Sequence, residues 1–168
     1  MGGYTGKSFT QRLRQVQNVT EFDLAKIRTL RRCALFRALT YRDLAILAPK
    51  VREETAKKGE WIAEEGKPTR GLIVITSGRV ELTTSQVEGE TLELGPFDYF
   101  GELSLADGDL PRGAGARALD SLEYLRIDPR DFHALSGQEP SVAGKLAQGV
   151  MSAISEKLSQ ARAFLTPR

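Results

Sequence analysis

The apolar positions of this 168-residue chain change their rhythm twice. From Ser8 to Arg32 they recur at helical spacing, first as Phe9, Leu13 and Val16, then less regularly as Phe22, Ala25, Ile27 and Leu30. Asn18 and Thr20 interrupt the pattern, and Thr20 is placed to cap a helix that starts at Glu21. Leu35-Phe36 follows, then Thr40 with Asp43 three positions on, the spacing of a capping box. Leu44, Leu47, Ala48 and Val51 continue on one helical face. Pro49 lacks a donor and crowds the preceding turn, so this helix is predicted to end near it.

From Val51 to Ile127 the rhythm becomes that of short strands. Glycine recurs from Gly59 to Gly108, and β-rich runs lie between the glycines. The clearest are Glu60-Trp61-Ile62-Ala63, Leu72-Ile73-Val74-Ile75-Thr76, Arg79-Val80-Glu81-Leu82-Thr83, Thr91-Leu92-Glu93-Leu94 and Leu122 to Ile127. Strands at this spacing with turn signals predict a sandwich or barrel. Ser77-Gly78 predicts a hairpin turn, with Val74, Ile75, Val80 and Leu82 facing inward. The helical period returns at Asp128, which can cap, with Pro129 suited to the first helical position. Ser136-Gly137-Gln138 breaks that helix. Pro140 opens a longer one to about Phe164, with Leu146, Val150, Ile154 and Leu158 at every fourth position. Residues 1–6 and Thr166-Pro167-Arg168 are expected to be loose ends.

Composition adds exclusions. The charged fraction of 27%, the hydrophobic fraction of 40% and a net charge of +2 are ordinary for a globular chain and create no global field for nucleic acid or membrane. The basic residues crowd the N-terminal region: Lys7, Arg12, Arg14, Lys26, Arg28, Arg31 and Arg32, against Glu21 and Asp23. That run makes either a solvated helix face or a docking surface for an acidic partner. Cys33 is the sole cysteine, so no intrachain disulfide can form, and it fits a small apolar position near a helix end. No apolar run approaches the ~20 residues of a membrane span. The first residues lack the apolar core of a signal peptide, so the cytoplasm is the expected location.

Catalysis is disfavoured by inventory. His133 is the only histidine and falls on a predicted helix outside the strands, which excludes a metal site of nitrogen ligands and a Ser–His–Asp arrangement. Glu53-Glu54 and Glu64-Glu65 are adjacent pairs, which a strand directs to opposite faces. No phosphate-loop or dinucleotide fingerprint occurs. No catalytic residue, metal or cofactor is expected.

One stretch does carry chemistry: Phe100-Gly101-Glu102-Leu103-Ser104-Leu105, followed by Pro111-Arg112-Gly113-Ala114. Gly101 permits a sharp turn, and Glu102 to Ala106 can form one helical turn whose free N–H groups point at an anion. Arg112 can offer a forked guanidinium to the same anion. Glu102 would be repelled by that anion and should face a neutral hydroxyl. A Glu102–Arg112 ion pair closing the loop satisfies the same pattern, and both alternatives stand.

From about Leu35 to Leu158 the chain resembles a cyclic-nucleotide-binding domain of the catabolite-activator and kinase-regulatory-subunit type. The resemblance rests on Leu35-Phe36, Lys58-Gly59-Glu60-Trp61-Ile62, Glu65-Gly66 and Leu72 to Val80, and most specifically on the Phe100 and Pro111 segments, which resemble a phosphate-binding cassette. It implies an α+β fold: an antiparallel β-barrel or jelly roll (a double-stranded β-helix) flanked by N-terminal helices and a C-terminal helix pair. A helical extension over 1–33 would precede the domain over 34–164, with the barrel at about 51–127 and the C-terminal helices at about 128–164.

The resemblance also implies roles. Glu102 would accept from a ribose 2′-hydroxyl and Arg112 would pair with the cyclic phosphate. Gly101, Leu103, Ser104, Gly113 and Ala114 would complete the ligand site, largely through backbone N–H groups. Val74, Leu82 and Leu92 are apolar pocket candidates, although core packing suits each as well. Gly113 and Gly115 stand where the family often offers hydroxyls; the missing threonine leans toward cyclic AMP over cyclic GMP. The implied function is a stand-alone sensor that signals to an unidentified effector protein by movement of its terminal helices. No DNA-binding domain is expected to follow, and a weak homodimer through the long helix is the expectation for assembly. The alternatives are a scaffold of the same fold without ligand, or a binder of a cyclic dinucleotide such as cyclic di-GMP.

Overall fold

Thr20 begins the order of the N-terminal helix, α1 (Glu21–Arg32), through a reciprocal capping box. Thr20 Oγ1 accepts from the Asp23 N–H at 3.1 Å, and Asp23 Oδ2 accepts from the Thr20 N–H at 3.1 Å. The same device opens α2 (Tyr41–Leu47), where Thr40 and Asp43 exchange bonds of 3.2 and 2.8 Å. Pro49 sits in the 3-10 turn Ala48–Lys50 that follows, so α2 stops where its proline requires. The computed structural model describes residues 19–68, 70–86 and 89–165. The helical pattern of Phe9, Leu13 and Val16, the basic Lys7, Arg12 and Arg14, the loose end expected over residues 1–6 and that of Thr166 to Arg168 lie outside the described residues.

Eight strands follow: β1 (Arg52–Ala56), β2 (Trp61–Ala63), β3 (Leu72–Ser77), β4 (Val80–Thr83), β5 (Thr91–Leu94), β6 (Tyr99–Phe100), β7 (Gly115–Ala118) and β8 (Leu122–Ile127). They form two four-stranded antiparallel sheets, ordered β1-β8-β3-β6 and β2-β7-β4-β5. The expected jelly-roll-like arrangement is present, but the sheets do not close into a barrel. Nor is Ser77-Gly78 a hairpin: β3 pairs with β6 and β8, whereas β4 pairs with β5 and β7, so the turn carries the chain from one sheet to the other. Gly78 has φ of +86°, and a Cβ there would stand 2.4 Å from the Ser121 carbonyl oxygen.

Two cores result, and β3 belongs to both. Leu72 and Val74 face the helices, packing with Ile27, Leu30, Phe36 and Leu146. Ile73 and Ile75 face the second sheet, packing with Val80, Phe100 and Ala116. Adjacent residues on a strand point to opposite faces, so Val74 and Ile75 cannot share the single inward face expected of them. The continuous apolar run Leu72 to Ile75 is the mark of a strand covered on both sides.

The helix-side layer is completed by α3 (Pro129–Gln138) and α4 (Pro140–Leu165). The Asp128 carboxylate caps α3 by accepting from the Arg130 N–H at 2.9 Å. Lys145 ties α4 to α2 through a 2.7 Å contact with Asp43 Oδ2. Gly149 lets α4 lie directly on the turn Ala34–Phe36, since a Cβ would come within 2.0 Å of the Leu35 carbonyl oxygen. The basic residues of α1 have internal work: Lys26 donates to the Ala48 carbonyl at 3.3 Å, and the Arg32 guanidinium lies 3.8 Å from the centre of the Phe97 ring. Cys33 is buried, and that burial pushes its thiol up to about 12, so it stays protonated. His133 is exposed on α3.

Candidate functional site

Strand β6 delivers the first half of the site. Its pairing with β3, Ile73 opposite Phe100 and Val74 opposite Tyr99, fixes the point at which the chain leaves the sheet. Phe100 is buried, whereas Phe97 and Tyr99 are half-buried, so only Phe100 anchors the stretch in the core between the sheets. Gly101 follows in the left-handed region at φ of +81°. A Cβ at this position would stand 2.4 Å from the Gly71 carbonyl oxygen and 2.9 Å from Arg112 Nη1. The chain then makes one 3-10 turn, Glu102–Leu105, with Ser104 Oγ donating to the Gly101 carbonyl at 2.6 Å. Glu102 is only 5% exposed although it carries a carboxylate.

Arg112 supplies the second half, and its backbone is clamped. The Arg112 N–H donates to the Lys67 carbonyl at 2.9 Å, and the Gly66 N–H donates to the Arg112 carbonyl at 2.8 Å. The Glu65-Gly66 turn after β2 therefore sets where this arginine stands. Its guanidinium lies over the Phe100 ring at 4.9 Å from the centroid. Its Nε donates to the Ala114 carbonyl across a long 3.4 Å. Burial pulls the Arg112 pKa down and the nearby charge of Glu102 pushes it back up, with a net lowering; the group remains a cation.

Between these segments lies a cavity of about 220 Å³. Gly101, Glu102, Leu103, Ser104, Arg112, Gly113 and Ala114 all line it, as does Leu82 from β4. Leu92 does not: it sits opposite Leu82 in the β4–β5 ladder and is 59% exposed. Val74 does not either, because the strand alternation sends it to the helix-side core. Gly113 has open space at its Cβ position, whereas a Cβ on Gly115 would meet the Trp61 ring at 2.8 Å.

Glu102 and Arg112 do not form the ion pair that their spacing allowed. Lys157, on α4, pairs with Glu102 Oε1 instead, and it also lines the cavity. Among the described residues Arg112 has no carboxylate at ion-pair distance. Lys157 escaped the sequence reading. It lies 55 positions from Glu102, and helical periodicity tells which residues share a face but not which loop that face overlies.

Residues 53–139 match the family profile described as the cyclic nucleotide-binding domain. The chain is 32% identical over 116 residues to the cyclic AMP receptor protein of Thermus thermophilus, covering 67% of this chain and 53% of that protein. It is 29% identical over 109 residues to a cyclic nucleotide-gated potassium channel of Mesorhizobium japonicum, covering 65% of this chain and 29% of the channel. Among solved structures, the N-terminal domain of a transcriptional regulator from Streptomyces coelicolor A3(2) superposes with a TM-score of 0.67 at 32% identity, covering 79% of this chain and 93% of that one. With its sandwich, its helices and this match, the chain belongs to the cyclic nucleotide-binding domain family. It spans about half or less of the length of the two full-length relatives. No helix among the described residues is long and apolar enough to cross a membrane.

Proposed function

We propose that the cavity binds a cyclic mononucleotide, cyclic AMP in preference to cyclic GMP, and that the domain is a sensor rather than an enzyme. One observation carries this: the half-buried Arg112 cation lines a cavity with no carboxylate paired to it, while a buried carboxylate stands on the same cavity. Keeping a desolvated cation without an anionic partner is costly, and a ligand phosphate would offset that cost. Glu102 suits a neutral hydroxyl of the same ligand, because an ionised carboxylate only accepts. The backbone around Gly101 and after Arg112 is free of side-chain bulk, which suits close approach of a phosphate. Gly113 and Gly115 bring no hydroxyl to the site, which favours the adenine over the guanine nucleotide. The signal would pass through α1 and α4 to a separate effector protein in the cytoplasm, with a weak dimer through α4 as a further route.

A scaffold without ligand is the competing reading, and the Lys157–Glu102 pair favours it, since the protein already satisfies its own carboxylate. Calorimetry with cyclic AMP, cyclic GMP and cyclic di-GMP separates the readings. Heat and saturation with cyclic AMP, weaker with cyclic GMP, is the expected result. No heat and no thermal shift with any of the three at millimolar concentration would leave the scaffold. Saturation by cyclic di-GMP alone would mean a modified cassette.

A further inference from the structure

The turn after β2 grips both walls of the cavity without lining it. On one wall, β7 begins only at Gly115, so the backbone of Arg112 lies outside the ladders. Its bonds go to the turn instead: the Arg112 N–H donates to the Lys67 carbonyl at 2.9 Å, and the Gly66 N–H donates to the Arg112 carbonyl at 2.8 Å. An isolated antiparallel bridge between Pro68 and Pro111 extends this contact. On the other wall, β4 brings Leu82 to the cavity and ends at Thr83. Thr84 and Ser85 come next in the chain, and the Glu65 carboxylate holds both. Its Oε1 accepts from the Ser85 hydroxyl at 2.8 Å and from the Thr84 hydroxyl at 3.2 Å. Its Oε2 accepts from the Ser85 N–H at 2.9 Å. These bonds, that of the Ser85 N–H first, hold the Glu65 carboxyl below its usual value of 4.5. Glu65 stands directly before Gly66, so one turn holds the arginine wall by its backbone and the Leu82 wall by a side chain.

Resting on the reading of the cavity as a nucleotide site, we propose that Glu65 is a positioning residue for that site, fixing Arg112 against the β4 wall while touching no ligand atom. The Arg112 side chain has little of its own to fix it: a long 3.4 Å bond to the Ala114 carbonyl and the face of the Phe100 ring. Where its guanidinium stands is therefore set mainly by where its backbone is clamped. The clamp is a turn that includes Gly66, in the left-handed region at φ of +77° with nothing packed against its Cβ position. Such a turn can pivot unless something holds it. The Glu65 carboxylate, stapled to the end of β4, removes that freedom. The arginine is then held in place before a phosphate arrives, and binding does not bear the cost of ordering it.

Hydrogen exchange and calorimetry on the full chain test the staple and its effect on the site. Without nucleotide, Glu65→Ala is expected to speed exchange of the Gly66 and Arg112 amides and to leave 142–153 unchanged. It is expected to bind cyclic AMP more weakly, by roughly three- to tenfold. Glu65→Gln, whose amide oxygen still accepts, is expected to recover most of that loss. Ser85→Ala is expected to weaken binding in the wild type and to change nothing further in Glu65→Ala, where the bond is already gone. Cyclic AMP binding of wild-type strength in Glu65→Ala, or unchanged exchange at Gly66 and Arg112, overturns the proposal. Weaker binding accompanied by faster exchange across 142–153 also overturns it, because Glu65 would then support the fold at large. Where Glu65→Ala fails to fold, Ser85→Ala carries the test by the same two readouts. Faster exchange at Gly66 and Arg112, with no heat from cyclic AMP in any of the proteins, keeps the staple and overturns the nucleotide reading.

Discussion

Gly101 is packed against the guanidinium of Arg112: a Cβ on the glycine would stand 2.9 Å from Nη1, and 2.4 Å from the Gly71 carbonyl oxygen on its other side. The glycine thus does two things, supplying a left-handed backbone and leaving space for the arginine that faces the cavity. Gly101→Ala is expected to destabilise the fold by at least the ~1–2 kcal/mol of a left-handed non-glycine residue, because the backbone at Gly71 cannot yield cheaply. It should also push Arg112 aside and weaken cyclic AMP binding. Thermal melting and calorimetry check the two effects separately.

The two glycines after Arg112 differ in the space around them, so they should differ in what they tolerate. Gly113→Ser is expected to fold normally and to tighten cyclic AMP binding by roughly three- to tenfold, the worth of one added hydrogen bond to the ligand. Gly115→Ser meets the Trp61 ring, which is 53% exposed and able to swing outward. Trp61 is the only tryptophan, so its emission should shift to the red in Gly115→Ser and stay unchanged in Gly113→Ser.

The Asp43–Lys145 pair gives an acid-side signature. Burial alone would raise the Asp43 carboxyl, but the hydrogen bond from Lys145 and those from Thr40 outweigh it and hold the group below its usual value of 3.8. A carboxyl lowered by folding contributes stability that is complete above its unfolded pKa and is lost as pH falls through the folded one. Lys145→Met should therefore cost roughly 1–2 kcal/mol at neutral pH. The gap to the wild type should close as pH drops below about 4. Denaturant unfolding of both proteins across that range is the check.

Glycines within α4 should respond to alanine with opposite signs. Gly144 has open space at its Cβ position and is exposed, so Gly144→Ala should stabilise by about 0.5–1 kcal/mol through helix propensity. Gly149→Ala drives a methyl group to within 2.0 Å of the Leu35 carbonyl oxygen and must lift the helix. It should destabilise by about 1–3 kcal/mol, as overpacking does. Melting temperatures of the two variants would order them on either side of the wild type.

The sequence carried the local features well, for a physical reason. Capping boxes at Thr20 and Thr40, the stop at Pro49 and the cap at Asp128 are made by residues within four positions of one another, so their spacing is their geometry. That Gly101, Glu102 and Arg112 line one cavity was legible in the same way, because they sit on one short stretch of chain. What escaped was set by long-range placement. The turn at Gly78 looked like a hairpin, since nothing local says that its two strands join different sheets. Val74 carries the same apolar signal as Ile75, and only the layer order decides which of them faces the helices. Lys157 sits among polar residues on an exposed helix end, and its partner became visible only when α4 was seen to cross the cavity.

Arg112, with no carboxylate at ion-pair distance among the described residues, is proposed to hold a ligand phosphate. Calorimetric titration of cyclic AMP into the wild type and Arg112→Ala, with melting temperatures recorded for both, tests it most directly. Saturable binding by the wild type and a loss of roughly 2–5 kcal/mol in Arg112→Ala, the cost of leaving a buried phosphate unpaired, are the expected results. Cyclic AMP binding of equal strength in both proteins, with only the stability of Arg112→Ala reduced, would contradict it.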